Sequence, residues 1–233
     1  MKLKNISFLD PRKNILFDDV LLSLAEEQKA SETLRLWESR KLFIVLGKTS
    51  SLEDDVRIDN ARRNNIPILR RSSGGGTVLQ GKGCLNFSFI LSKDSHSDLL
   101  IIQKSYQFIL KKVIKALISL GVQAVWHPIS DIAIKGSDKK ISGNAQKRAK
   151  KFILHHGTIL YDFNLKNIEK YLKVPKSCPD YRNGRVHKEF VANIDKTSEN
   201  IKMAIAKQFP ISSVENSINL DEKECLERFL RFN

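Results

Sequence analysis

The sequence predicts an α+β protein with a mixed, largely antiparallel sheet flanked by helices. Segments of period two occur in runs instead of alternating one by one with helices, which argues against a regular βαβ array. The helical segments fall unevenly, one near the amino terminus, a short one near residue 51, one in the middle and three toward the end. No repeat, low-complexity tract or linker interrupts the 233 residues, and 41% apolar content can build one core. Residues 1–233 therefore read as a single domain, with no separate carboxyl-terminal accessory domain evident.

Residues 14–30 place Phe17, Val20, Leu21, Leu24 and Ala25 on one helical face, with charges opposite. Residues 33–37 and 42–46 are short apolar runs separated by charged residues, which predicts a hairpin. Ser50 or Ser51 ahead of Glu53, Asp54 and Asp55 marks a short helix, because hydroxyl oxygens and negative charge suit exposed amide hydrogens. Residues 67–71, 77–80 and 85–91 read as strands around a glycine-rich loop. The last of them alternates Leu85, Phe87, Phe89 and Leu91 against Asn86, Ser88 and Ile90. The longest helix starts at Ser97 or Asp98 and ends at Gly121, burying a stripe from Leu100 through Tyr106, Leu110, Val113 and Leu117. Strand patterns return at 122–126, 131–135, 139–142 and 152–161, and helical ones at 166–172, 198–209 and 221–230 close the chain.

A net charge of +14 attracts anionic partners without choosing among nucleic acid, phosphorylated ligands and acidic proteins. Cys84, Cys178 and Cys225 form an odd set with no repeated spacing, which gives neither a disulfide framework nor a zinc site. The amino terminus has no long apolar run and no segment reaches membrane-spanning length, so a cytoplasmic protein is expected.

The stretch RRSSGGGTVLQGKGCLNFSFIL, residues 70–91, sets two arginines and three consecutive glycines before an apolar strand. Three glycines cost backbone entropy, and close approach of a ligand is the usual physical reason for such a run. Their amides can form an anion-binding nest, with Arg70 or Arg71 completing the charge; on a strand the two arginines point to opposite faces. Residues 76–83 nearly spell a P-loop, but Gly83 replaces the hydroxyl residue, and a strand pattern follows where a helix is required.

Together with SDIAIKGSDKKISGNAQKR and LHHGTILYDFNL, this stretch resembles the lipoate-protein ligase A family of the biotin/lipoyl protein ligase superfamily. The resemblance covers roughly residues 14–190, and it implies a catalytic core like those of class II aminoacyl-tRNA synthetases and biotin ligases. It implies ATP and Mg²⁺, with lipoate as the acid that becomes an acyl adenylate. The acceptor is a lysine on a lipoyl domain, either the E2 of a 2-oxoacid dehydrogenase or the glycine-cleavage H protein. A separate accessory protein could assist the second step.

By position in the family's motifs, Arg70, Arg71, Ser73, Gly74, Gly75 and Gly76 match the loop that lies against the acyl chain and adenylate phosphate. Lys140, before Ser142 and Gly143, matches the lysine on the α-phosphate and acyl carbonyl. Asn86 and Ser88 match the strand beside the pocket, and Gly157 and Thr158 match the HGT strand. Asp131 matches the acidic position and is the one candidate metal contact, although its neighbour is Ser130 where the family has asparagine.

Activation brings a carboxylate against a phosphate, so fixed positive charge lowers the barrier. At ~4 Å and an effective dielectric of ~20, one lysine–phosphate pair is worth about 4 kcal/mol before desolvation, at most about a thousandfold in rate. His155 and His156 are neighbours on a strand and point apart, so they cannot easily share a metal; one packed and one exposed histidine is expected. His187 falls in a loop placed near the site. The rival activity is ATP-independent octanoyl or lipoyl transfer, for which Cys84 is the only cysteine near the motifs. A basic nucleic-acid-binding protein is the second alternative; aromatic content of 8% and the lack of interleaved basic-aromatic motifs count against it.

Overall fold

The computed structural model describes residues 1–176 and 178–232. Its strands are β1 (Lys2–Asn5), β2 (Thr33–Glu38), β3 (Phe43–Leu46), β4 (Ile68–Arg70), β5 (Val78–Gln80), β6 (Cys84–Ser92), β7 (Ala124–His127), β8 (Asp131–Ile134), β9 (Lys139–Arg148), β10 (Phe152–Leu160) and β11 (Ser213–Glu215). The helices are α1 (Pro11–Glu26), α2 (Leu52–Asp55), α3 (Ile58–Arg63), α4 (Ile102–Ser119), α5 (Lys166–Tyr171), α6 (His187–Phe190), α7 (Ser198–Ala206) and α8 (Leu220–Phe232).

The main sheet runs β11-β1-β2-β6-β10-β9-β8-β7, parallel from β11 to β2 and antiparallel from β2 to β7. A smaller sheet, β4-β3-β5, packs on one face of it. The mixed, mainly antiparallel α+β architecture is thus the one the sequence predicts. Strand β6 is buried on both sides because it lies inside the sheet. Leu85, Phe87 and Phe89 meet Ile109, Leu110 and Val113 of α4 on one face. On the other, Ile90 of β6 meets Phe17, Val20 and Leu21 of α1. Each fully buried side chain of this kind contributes roughly 1.5–3 kcal/mol.

Local chemistry sets the helix ends. Pro11 starts α1 after an Asp10 cap, and Ser51 caps α2 by accepting the Asp54 amide. Gly121, at φ +82°, closes α4: its amide reaches the Ile118 carbonyl and that of Val122 reaches Leu117.

Some expectations need correction. Residues 33–38 and 43–46 do not pair as a hairpin; β2 enters the large sheet and β3 the small one, because the chain between them turns out of plane. Leu100 is 64% exposed, since a 3₁₀ turn at Ser97–Leu100 precedes α4 and takes it off the buried stripe. Asp18 and Asp19 of α1 are buried instead of facing solvent. No helix among the described residues is long and apolar enough to cross a membrane.

Candidate active site

Along β6 and β10, residues Asn86, Ser88, His156 and Thr158 share the face that carries α1 and the small sheet. The loop between β4 and β5, residues 71–77, lies over this face. Its two arginines diverge, as alternation predicts. Arg70 is exposed, and its guanidinium donates to the carbonyls of Gly47, Lys48 and Ser50 at 2.6, 3.1 and 2.9 Å. Arg71 is buried and donates to the carbonyls of Gly74 and Gly76 at 2.7 and 2.8 Å. Burial pushes the Arg71 pKa down to about 10, which still leaves it charged at neutral pH.

Both cations therefore hold loops, and neither is free to complete a nest by itself. Arg71 grips the loop by its carbonyls, and no acceptor among the described residues takes the amides of Gly74, Gly75 or Gly76. Those amides form the anion-receptive edge. Gly75 has φ +83° and is exposed, so a side chain there is strained. Gly47 is required for a different reason: a Cβ on it would stand 1.9 Å from the Gly75 carbonyl oxygen.

Ser73 is 1% exposed; its hydroxyl accepts from Arg71 Nε at 3.0 Å and lies 2.6 Å from His156 Nε2. His156 Nδ1 faces Asp18 Oδ2 at 3.5 Å, and Asp18 also takes Arg35 at 2.7 Å and the Ser88 hydroxyl at 2.6 Å. Burial raises the Asp18 pKa, but Arg35, His156 and Ser88 outweigh it and hold the carboxyl below its usual range. The Ser73–His156–Asp18 connectivity is that of a nucleophilic triad. With the serine enclosed and already bonded to Arg71, it acts as a brace for the glycine loop. Ser73 and Ser88 thus belong to this brace, and His156 is half-buried where the sequence suggested an exposed histidine.

Lys140 reaches the same face through an irregularity of β9. Gly143 pairs with Asp131 and Ser142 with Ile132, but Ala133 pairs with Lys140, so Ile141 is an extra residue. The bulge resets the alternation and turns Lys140 to the side of Gly143, where its Nζ lies 3.0 Å from the place a Gly143 Cβ would occupy. The ammonium pairs with Asp131 Oδ1 at 2.9 Å, while Lys139 is exposed. Two residues along β9, Ala145 Cβ is 3.7 Å from where a Gly75 Cβ would stand. Two strand residues span roughly 7 Å, so glycine corner and lysine are neighbours on one face.

Asn86 is buried and pairs across the sheet with Trp37 and Thr158. Asn86 Nδ2 and Trp37 Nε1, two buried donors, have no partner among the described residues. They stand beside the apolar set Trp37, Phe43 and Val45, an arrangement that invites an acceptor from a bound group or ordered water. Thr158 is half-buried on the same face. Ser142 and Gly157 lie behind the site. Ser142 Oγ accepts from Asn144 at 3.1 Å, and a Cβ on Gly157 would sit 1.9 Å from Asn144 Oδ1. His155 is fully buried there, against Asn144, Gln146 and Tyr106. His187 opens α6 where the sequence suggested a loop; it lies 3.1 Å from the Lys173 carbonyl, and burial lowers its pKa.

Asp131 has both carboxylate oxygens engaged, by Lys140 and Ser130 on Oδ1 and by Tyr181 on Oδ2. Among the described residues no group of three or more His, Cys, Asp or Glu side chains could hold a metal ion. The donor set does not make a protein metal site. Sequence reasoning missed Asp18, Asn144 and Tyr181, and weighed His156 only as half of a histidine pair. Asp18 left a trace as an acid inside the apolar stretch ILFDDVLL, and His156 in the quoted HHGT; Tyr181 left none.

A helix-flanked mixed sheet with an amide-lined glycine corner and an ammonium on one face defines an α+β catalytic domain suited to an anionic ligand. The lipoyl protein ligase A/B catalytic domain family matches residues 10–215, and the chain belongs to that family. It is 31% identical over 192 residues to lipoate-protein ligase LplJ of Bacillus subtilis, covering 82% of this chain and 55% of that one. The chain thus spans about half the length of such ligase relatives. Octanoyltransferase LipM of Clostridioides difficile is 24% identical over 245 residues, 92% of this chain and 89% of that one. In fold, the chain is similar to the bi-partite lipoate protein ligase of Thermoplasma acidophilum, with TM-score 0.83, 24% identity and coverage of 99% and 91%. It is likewise similar to a lipoate-protein ligase A bound with ATP, with TM-score 0.82, 24% identity and coverage of 99% and 94%.

Proposed function

We propose that this chain activates lipoate, or octanoate in its place, with ATP and passes the acyl group to a lysine of a lipoyl acceptor domain. The observation that carries it is the meeting on one face of β9 of the Gly74–Gly76 amides and the Lys140 ammonium. In the first step the acid's carboxylate oxygen bonds to the α-phosphorus and the bond to pyrophosphate breaks. The amides and Lys140 stabilise charge on the α-phosphoryl oxygens where it develops. In the second, the acceptor amine attacks the acyl carbon, AMP leaves with the bonding electrons, and the amine's extra proton goes to solvent. Mg²⁺ would enter with the nucleotide and supply positive charge against its phosphates, since the described side chains offer it no site of their own.

The acceptor is a 2-oxoacid dehydrogenase E2 or a glycine-cleavage H protein, and the setting is the cytoplasm. A separate accessory chain for the transfer step is supported by the likeness to a ligase described as bi-partite. The ligase reading leads, at 31% identity against 24% for the octanoyltransferase; that transferase, matched over most of its own length, supports transfer from an acyl thioester without nucleotide as the second reading. A Cys84 nucleophile does not suit that reading: the thiol is 1% exposed and burial pushes its pKa up to about 12.

The test is acid-dependent pyrophosphate release with lipoate, octanoate and biotin. Lipoate is expected to respond best, and Lys140→Ala to lower its rate by up to about a thousandfold. Equal rates for wild type and variant refute the role given to Lys140; acylation from a thioester with no nucleotide present establishes the transferase instead.

A further inference from the structure

Asp131 is 5% exposed, and a separate element holds each of its oxygens. Oδ1 takes the Lys140 ammonium at 2.9 Å, while Oδ2 takes the Tyr181 hydroxyl at 2.7 Å. We infer that Tyr181 is a positioning residue for Lys140, acting through Asp131. It comes from outside the sheet, in the 3₁₀ turn Asp180–Arg182, on a segment that crosses the β8–β9 hairpin and joins it by a bridge between Val191 and Lys140.

The ring is fixed independently of its hydroxyl. It stacks on His127 with centroids 4.1 Å apart and planes at 14°, and His127 is tied to Asp138 at 3.0 Å. Phe190 lies 5.2 Å away on the same segment. Arg185 straps the turn by donating to the carbonyls of Ser137, Asp138 and Tyr181. A ring held from several sides loses little further freedom when its hydroxyl bonds the carboxylate.

For Lys140 to meet an anion at the glycine corner, its ammonium must leave Asp131. That would strand a buried carboxylate, which is costly. The phenol keeps one oxygen satisfied throughout and so lowers the cost of the move. It stays protonated, because burial and then the Asp131 charge push its pKa far above the ordinary value. Without the hydroxyl, Oδ2 loses its donor and only the Ser130 hydroxyl on Oδ1, at 3.2 Å, remains beside Lys140, so the carboxylate holds the ammonium back.

What Lys140 does rests on the ligase reading; that Tyr181 governs where it stands rests on geometry alone. Tyr181→Phe keeps both ring contacts and removes only the bond. In lipoate-dependent pyrophosphate exchange it is expected to lower kcat about tenfold, the size of one hydrogen bond to a charged group, with the KM for ATP changing less than about twofold. Added to Asp131→Asn, it is expected to change nothing further, because the intermediary is gone. Full additivity of the two substitutions, or a wild-type kcat for Tyr181→Phe, overturns the proposal.

A second measurement is independent of turnover. Under trace acetylation read by mass spectrometry, labelling of Lys140 relative to Lys139 is expected to fall about threefold or more in Tyr181→Phe, with no such fall when Asp131→Asn is the background. If the wild type shows no exchange, the ligase reading fails while the labelling ratio still decides the role of Tyr181. An unchanged ratio overturns that role even in an active enzyme.

Discussion

His155 shows how a single side chain can couple the fold to proton concentration. Burial, with the charge of His156 adding to it, pushes its pKa down to about 3. In the unfolded chain a histidine titrates near 6.5, so between these values the unfolded state binds a proton that the native state refuses. Stability therefore falls as pH drops through that window, by roughly 4–5 kcal/mol in full. The expected observation is a urea midpoint that declines from pH 6.5 downward, with His155→Gln removing most of the slope; an unchanged slope assigns the loss elsewhere. Asp18 acts in a lower window, since a depressed carboxyl loses its contribution only as pH falls through its folded value. At this level the sequence was partly legible. The glycine run and Lys140 stand in contiguous motifs, whereas the Ser73–His156 and Tyr181–Asp131 bonds join positions 83 and 50 residues apart, which no local pattern reports.

Among the elements, α1, α4, β6 and β10 were readable because long apolar stripes or strict alternation mark a buried face. Strands β1 and β11 were not. Lys2–Asn5 reads KLKN, too short and too charged to announce a strand, yet Lys4 is 2% exposed. Its ammonium pairs with Glu222 of α8 at 2.6 Å and with Glu215 of β11, so the charge is buried only because later elements arrive to meet it. Lys4→Met takes the ammonium from the buried Glu222 carboxylate, while the more exposed Glu215 keeps Lys2, and is expected to cost about 3–5 kcal/mol. Adding Glu222→Gln should recover part of this, since the carboxamide can still accept the Asn219 amide at the start of α8. Urea titration of the single and double variants checks both; a neutral Lys4→Met disproves the account. The bulge at Ile141 was equally invisible in sequence, because an extra residue in a strand changes which face a side chain takes without changing composition.

For the molecule as a whole, a formal charge of +14 acts at distances where no individual contact can. An acidic acceptor domain would be drawn toward such a surface, and its arrival would depend on ionic strength. Under the proposed function, raising salt from about 0.01 to 0.5 M is expected to slow acceptor modification steeply while adenylate formation persists, because the first is an encounter between charged bodies and the second is local. Equal salt dependence of the two steps removes the steering role.

The fit of Gly47 under the Gly75 carbonyl has a mechanical consequence. Ser50 Oγ reaches the same carbonyl at 3.3 Å, and Arg70 gathers the turn at Gly47, Lys48 and Ser50 from the next strand end. The two turns are interlocked like a latch and its keeper. A visitor that lifts one must carry the other, so tightening or loosening of the glycine corner is transmitted to a surface turn more than 20 residues earlier in the chain.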